Sequence, residues 1–113
     1  MKDSWPDTSK MDKISALKEI LALDPKNSFA RYGMAMELAS RGDVEEALAE
    51  FSTLLANHPD YTAGYFMAAQ TLANAGRIAE AIERLKAGVG CAARTGNSHA
   101  LSEMQAMLDE LDR

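Results

Sequence analysis

Laid over itself with a shift of 34 positions, this chain matches itself at Pro25 and Pro59, Ala35 and Ala69, Leu38 and Leu72, Gly42 and Gly76, Val44 and Ile78, Glu46 and Glu80, Ala47 and Ala81, Leu48 and Ile82, Phe51 and Leu85, and Leu55 and Val89. A fixed period of this length makes each unit one supersecondary element that cannot bury its apolar face alone. Units must therefore stack. Within the first unit Asn27 or Ser28 is placed to cap a helix running to about Ser40, and Arg41-Gly42-Asp43 stops it. Asp43 with Glu46 three residues on is a capping-box-like start for a second helix. That helix spaces Val44, Ala47, Leu48, Phe51, Leu54 and Leu55 at three and four, one apolar stripe, and Pro59 ends it. The second unit repeats the pattern with Asp60 as its start, Ala75-Gly76-Arg77 as its turn, and Ile78, Ala81, Ile82, Leu85 and Val89 as its stripe.

On these residues the units resemble tetratricopeptide repeats, and the order of the whole resembles small bacterial proteins of that family. Ala35, Ala47, Phe51 and Pro59 fit the family pattern in the first unit. Ala69 and Ala81, and more loosely Tyr65 and Leu85, fit it in the second. Arg31 with Met34-Ala35, and Ala68-Ala69, replace the family's early aromatic and Leu-Gly pair. Gly88, Gly90 and Ala93 depart from the pattern at the second unit's end, so its last turn is either loose or continues as helix toward Arg94. The resemblance implies an all-α, short right-handed solenoid. Its expected parts are a flexible tail over residues 1–10, a half repeat over 11–24, full repeats over 25–58 and 59–93, and a capping helix over 97–112 that carries Leu101, Met104, Met107, Leu108 and Leu111 on one face.

Composition narrows the function classes. Twelve Lys and Arg against seventeen Asp and Glu give a net charge of -5, which opposes nucleic-acid binding. No run approaches the roughly 20 apolar residues needed to span a bilayer, and the N-terminus has no signal-peptide core, so no membrane partner and a cytoplasmic location are expected. The single cysteine, Cys91, agrees with a reducing compartment, and no clustered His and Cys suggests a metal; no cofactor is expected.

The resemblance implies that the first helix of each unit lines a concave surface where ligands lie. Residues 61–76 contain no charged side chain, and residues 28–40 only Arg31 and Glu37. Met34, Ala35 and Leu38 account for packing within the unit. Phe29, Tyr32, Gly33, Met36 and Ser40 form a second stripe, which the shift carries onto Ala63, Phe66, Met67, Gln70 and Asn74. The expected site is an aromatic and Met-lined trough of Phe29, Tyr32, Met36, Phe66 and Met67, with Gln70 and Asn74 as polar handles. Thioethers adapt to irregular apolar surfaces, which suits a bound apolar peptide or helix. Two other occupants stand beside that one: the chain's own C-terminal helix or N-terminal tail with Trp5, and a second copy in a symmetric dimer. The Lys, Arg and Asn clamp by which some family members hold acidic chaperone tails is absent, because Tyr32, Met36, Phe66 and Gln70 stand at those positions.

Catalysis is not expected. Cys91 with His99 and Ser102 is the one nucleophile arrangement to weigh, and nothing in the sequence fixes the three together. His58 is expected to interact with the end of its own helix. Glu45, Glu46, Glu50, Glu80, Glu83 and Arg84 are expected to form a solvated outer face or, more sharply, an acidic patch for a basic partner.

Overall fold

The computed structural model describes residues 9–113, with side chains from Lys13 onward. The expected tail, including Trp5, lies almost wholly outside the described residues. Six helices follow in order: α1 (Ser9–Leu23), α2 (Ser28–Ser40), α3 (Val44–Asn57), α4 (Thr62–Asn74), α5 (Ile78–Thr95) and α6 (Ser98–Leu111). Helix α1 thus begins two residues before the expected half repeat. Helix α5 continues past Arg94, which settles the loose-or-helical alternative in favour of helix.

The turns explain why the helices stop where they do. Gly42, Gly76 and Gly96 adopt φ of 83°, 79° and 72°. After each, an amide N–H reaches back five residues, from Asp43 to Leu38 O (3.0 Å), Arg77 to Leu72 O (2.9 Å) and Asn97 to Ala92 O (2.9 Å). This is the Schellman closure, which satisfies helix-end carbonyls and needs a residue free to take positive φ. Asn27 Oδ1 accepts from Ala30 N–H at 2.8 Å and Asn97 Oδ1 from Ala100 N–H at 3.1 Å, so both asparagines cap the helices that follow them.

The two aspartate starts are corrected. Asp43 makes no side-chain cap bond and lies 3.7 Å from Arg41. Asp60 is not the cap of α4: Tyr61 holds that position, and the Asp60 carboxylate accepts from Arg94 at 2.6 Å. In both places an arginine competes for the carboxylate. His58 is corrected too, since its Nε2 lies 2.6 Å from Lys26 O and ties the end of α3 to the turn between α1 and α2.

Packing follows the helix order. Helix α2 lies against α3, α4 against α5 and α5 against α6, and α1 packs on α2. One core cluster joins α1 to α4 around Met34, Leu38, Phe51 and Leu54; a second joins α4 to α6 around Leu85 and Met104. Helix α4 serves both, giving Ala68 to the first and Ala69 to the second. Ala35, Ala47, Ala69 and Ala81 are all fully buried, as close helix crossings require.

Glycine permits the tightest of these crossings. A Cβ at Gly88 would fall 2.8 Å from Tyr65 Cβ and 2.5 Å from Met104 Sδ, so the residue that departs from the repeat pattern is where α4, α5 and α6 converge. The Cα radius of gyration is 15.7 Å, above the about 13 Å of a compact chain this long, as stacking in one direction demands.

The concave groove and a pocket at its end

The groove stripes lie opposite the buried faces of their helices. On α2 the buried residues are Ala30, Met34, Ala35, Glu37 and Leu38; on α4 they are Gly64, Ala68, Ala69, Thr71 and Leu72. At 100° per residue, Phe29, Tyr32, Met36 and Ser40 on α2, and Ala63, Phe66, Met67, Gln70 and Asn74 on α4, fall on the remaining side.

The groove residues do not share one environment. Phe29 is 79% exposed. Tyr32, Met36, Phe66, Met67 and Gln70 are half-buried, while Asn74 is exposed at the end of α4. Tyr32 is as much wall as floor, for its ring meets Phe51 edge-on with centroids 6.5 Å apart and stands 5.3 Å from Tyr61. Burial, and then the neighbouring Tyr61, raise its phenol above the usual tyrosine range.

The charged side chains of α2 are drawn out of the groove. Arg31 donates to Glu50 at 2.6 Å on α3 and to Pro25 O at 2.8 Å. Glu37 is buried with Lys13 Nζ at 3.4 Å on α1. Helix α4 has no charge of its own, so the groove face of both helices is neutral.

Helix α6 packs beside α4 and against α5. Between α4 and α6 lies a pocket of about 150 Å³, with Ala63, Phe66, Ala100 and Met104 as its apolar lining and Thr62, Asn97 and Glu103 as its polar one. The structure brings Phe66, one of the expected residues, together with Glu103 and Met104, which are not in the expected set because only the docking of α6 brings them there. At the other end stand three of the exposed large hydrophobics, Ile20 (41%), Leu23 (91%) and Phe29. Lys13 meets Glu37, and a Gly33 Cβ would lie 3.7 Å from Leu17. This antiparallel register sets Ile20 level with the first turn of α2. Neither Ile20 nor Leu23 belongs to the expected site.

The other candidates separate. Cys91 is 1% exposed, and its sulfur lies 3.4 Å from Thr62 Oγ1. His99 has an 86% exposed side chain, 3.6 Å from Glu103. The two are not brought together, and Cys91 has no adjacent base of the kind a thiol nucleophile needs. No group of three His, Cys, Asp or Glu suited to a metal occurs among the described residues, and none of their helices is long and apolar enough to cross a membrane.

On the convex side, a cleft of about 490 Å³ between α3 and α5 is lined by Leu48, Ala49 and Leu72 and bridged by charges. Arg77 donates to Glu45 and Glu80, and Arg84 to Ser52 at 3.2 Å. Hydrogen bonding to Arg77 holds the Glu80 carboxyl below its usual range. Glu50 is turned inward to Arg31. Of the expected acidic outer set, Glu45 is thus paired across the two hairpins through Arg77, Glu80 with the same Arg77, and Glu50 within the first hairpin.

Stacked helical hairpins with their first helices on one side define a helical-repeat scaffold protein. The tetratricopeptide repeat family model matches residues 14–62 and 38–108, and the chain belongs to that family. A TPR repeat-containing protein of Pseudomonas aeruginosa is 30% identical over 100 residues, covering 88% of this chain and 95% of that protein. The solution structure of a tetratricopeptide repeat domain protein from Salinibacter ruber is similar at TM-score 0.73 and 30% identity, covering 78% of this chain and 89% of that one. The TPR2B domain of yeast Sti1, in its complex with pHsp70, is similar in fold at TM-score 0.81 and 20% identity, covering 92% and 86%.

Proposed function

We propose that this protein is a non-catalytic interaction module that holds an apolar peptide or helix of a partner protein in the concave groove. The half unit, the two full units and α6 act together as one scaffold for that groove. The observation that carries the reading is Phe29, a large aromatic left 79% exposed at the mouth of a face whose helices present no charge. Exposed apolar surface of this kind marks an interface when it is contiguous. The yeast domain's complex is an instance of this fold holding a partner.

Phe29, Tyr32, Met36, Phe66, Met67 and Gln70 form the proposed contact set, with Asn74 at its edge. Acidic chaperone tails are not ligands in this reading, because none of these positions supplies a cation. A cytoplasmic setting goes with the same reading.

Phe29→Ala is the cleanest test, because Phe29 supports little of the core; Tyr32→Ala would also remove packing on Phe51. Binding of a captured partner, measured by calorimetry, is expected to weaken about tenfold or more with an unchanged melting temperature. Unaltered affinity in Phe29→Ala and Phe66→Ala together would reject the groove. A second reading, a symmetric dimer through the same face, is favoured by exposed Ile20, which the register of α1 on α2 sets level with Phe29. Light scattering tests it: a mass that stays monomeric at every concentration removes it.

A further inference from the structure

We propose that the pocket between α4 and α6 receives a lysine or arginine side chain of the bound segment, with Glu103 as the group that selects it. This rests on the groove being the binding face and adds what kind of residue anchors there.

Three observations point to a basic anchor. The first is size: a pocket of about 150 Å³ has room for one long side chain. The second is the lining. Phe66 and Met104 offer an apolar floor for a methylene stem, while Glu103 stands at the pocket with a half-exposed carboxylate. That division suits a side chain apolar along its length and cationic at its tip. The third is charge. Helices α4 and α6 carry no Lys or Arg, while α6 carries Glu103, Asp109 and Glu110. His99 apart, a cation entering here meets only attraction from the charged side chains of the two helices that hold it, and an acidic side chain only repulsion. The one ion-pair partner of Glu103 among the described residues is His99, 3.6 Å away and solvated, which leaves the carboxylate available.

A plain apolar side chain would fill the floor equally well and is the competing occupant. It would gain nothing from Glu103, and this separates the two.

The test uses the full chain as bait for a displayed library of short random peptides. The tightest binder is resynthesised with each basic residue replaced in turn by norleucine, which keeps the stem and removes the charge. Affinities are read by fluorescence anisotropy against the parent protein and Glu103→Gln, a substitution at a solvated position that leaves the core untouched. One basic position is expected at which norleucine weakens binding to the parent about five- to tenfold, while Glu103→Gln erases that difference. Peptides without an enriched basic residue, or a norleucine penalty equal in parent and Glu103→Gln, would overturn the pocket assignment while leaving the groove reading intact. Failure to select any peptide, or selected peptides indifferent to Phe29→Ala and Phe66→Ala, would overturn both.

Discussion

Positions related by the 34-residue shift keep a task while changing its chemistry. Arg31 Nη2 donates to Pro25 O at 2.8 Å; its counterpart Tyr65 donates through its hydroxyl to Pro59 O at 2.7 Å. Each side chain clips the turn before its hairpin to the first helix. The counterpart of Glu50, which receives Arg31, is Arg84, which instead donates to Ser52 of the preceding hairpin. Gly88 shows the same economy of space. Adding a methyl there drives it onto Tyr65 Cβ, a backbone-anchored atom that cannot swing away. Gly88→Ala gains about 0.5–1 kcal/mol of helix propensity but is expected to lose about 1–3 kcal/mol to overpacking. Chemical denaturation is therefore expected to show a net loss of stability, and a more stable variant would mean that α4 and α5 do not cross this closely at Gly88.

Helix starts show what a sequence reveals and what it hides. Asn27, the hairpin turns at Gly42 and Gly76, and the apolar stripes of α3 and α5 were readable because each depends on neighbours within five residues. Asp43 and Asp60 looked like caps by the same logic, yet each is held near an arginine, Arg94 reaching Asp60 across 34 positions. Local pattern cannot show a partner that arrives through the fold, as Arg94 does at Asp60; at Asp43 the neighbouring arginine, Arg41, is only two residues away. Asn27→Ala is expected to cost about 1 kcal/mol, whereas Asp43→Ala, with no cap bond to lose, is expected to stay within about 0.5 kcal/mol of the parent. Equal losses in the two melting curves would restore the capping box. The proposed site divides the same way: that Phe66 and Met67 share one face of α4 follows from helical spacing, while the approach of Glu103 does not, since it requires knowing on which side of α5 the last helix lands.

At the scale of the molecule, the chain is a short stack in which each helix meets only near neighbours in order, and α4 is the plank common to both core clusters. Stacking of this kind leaves one long face uncovered by later elements. Here that face is neutral along α2 and α4, exposed and apolar at Phe29, and acidic at α6. The convex side is instead tied together by Arg77 with Glu45 and Glu80. Concave binding is thus the claim on which the account rests, and amide chemical-shift mapping of the labelled protein with a selected peptide tests it most directly. The largest shifts are expected on the first turn of α2, the middle of α4 and the first two turns of α6. Shifts confined to α3 and α5, around Glu45, Ser52 and Glu83, would contradict it.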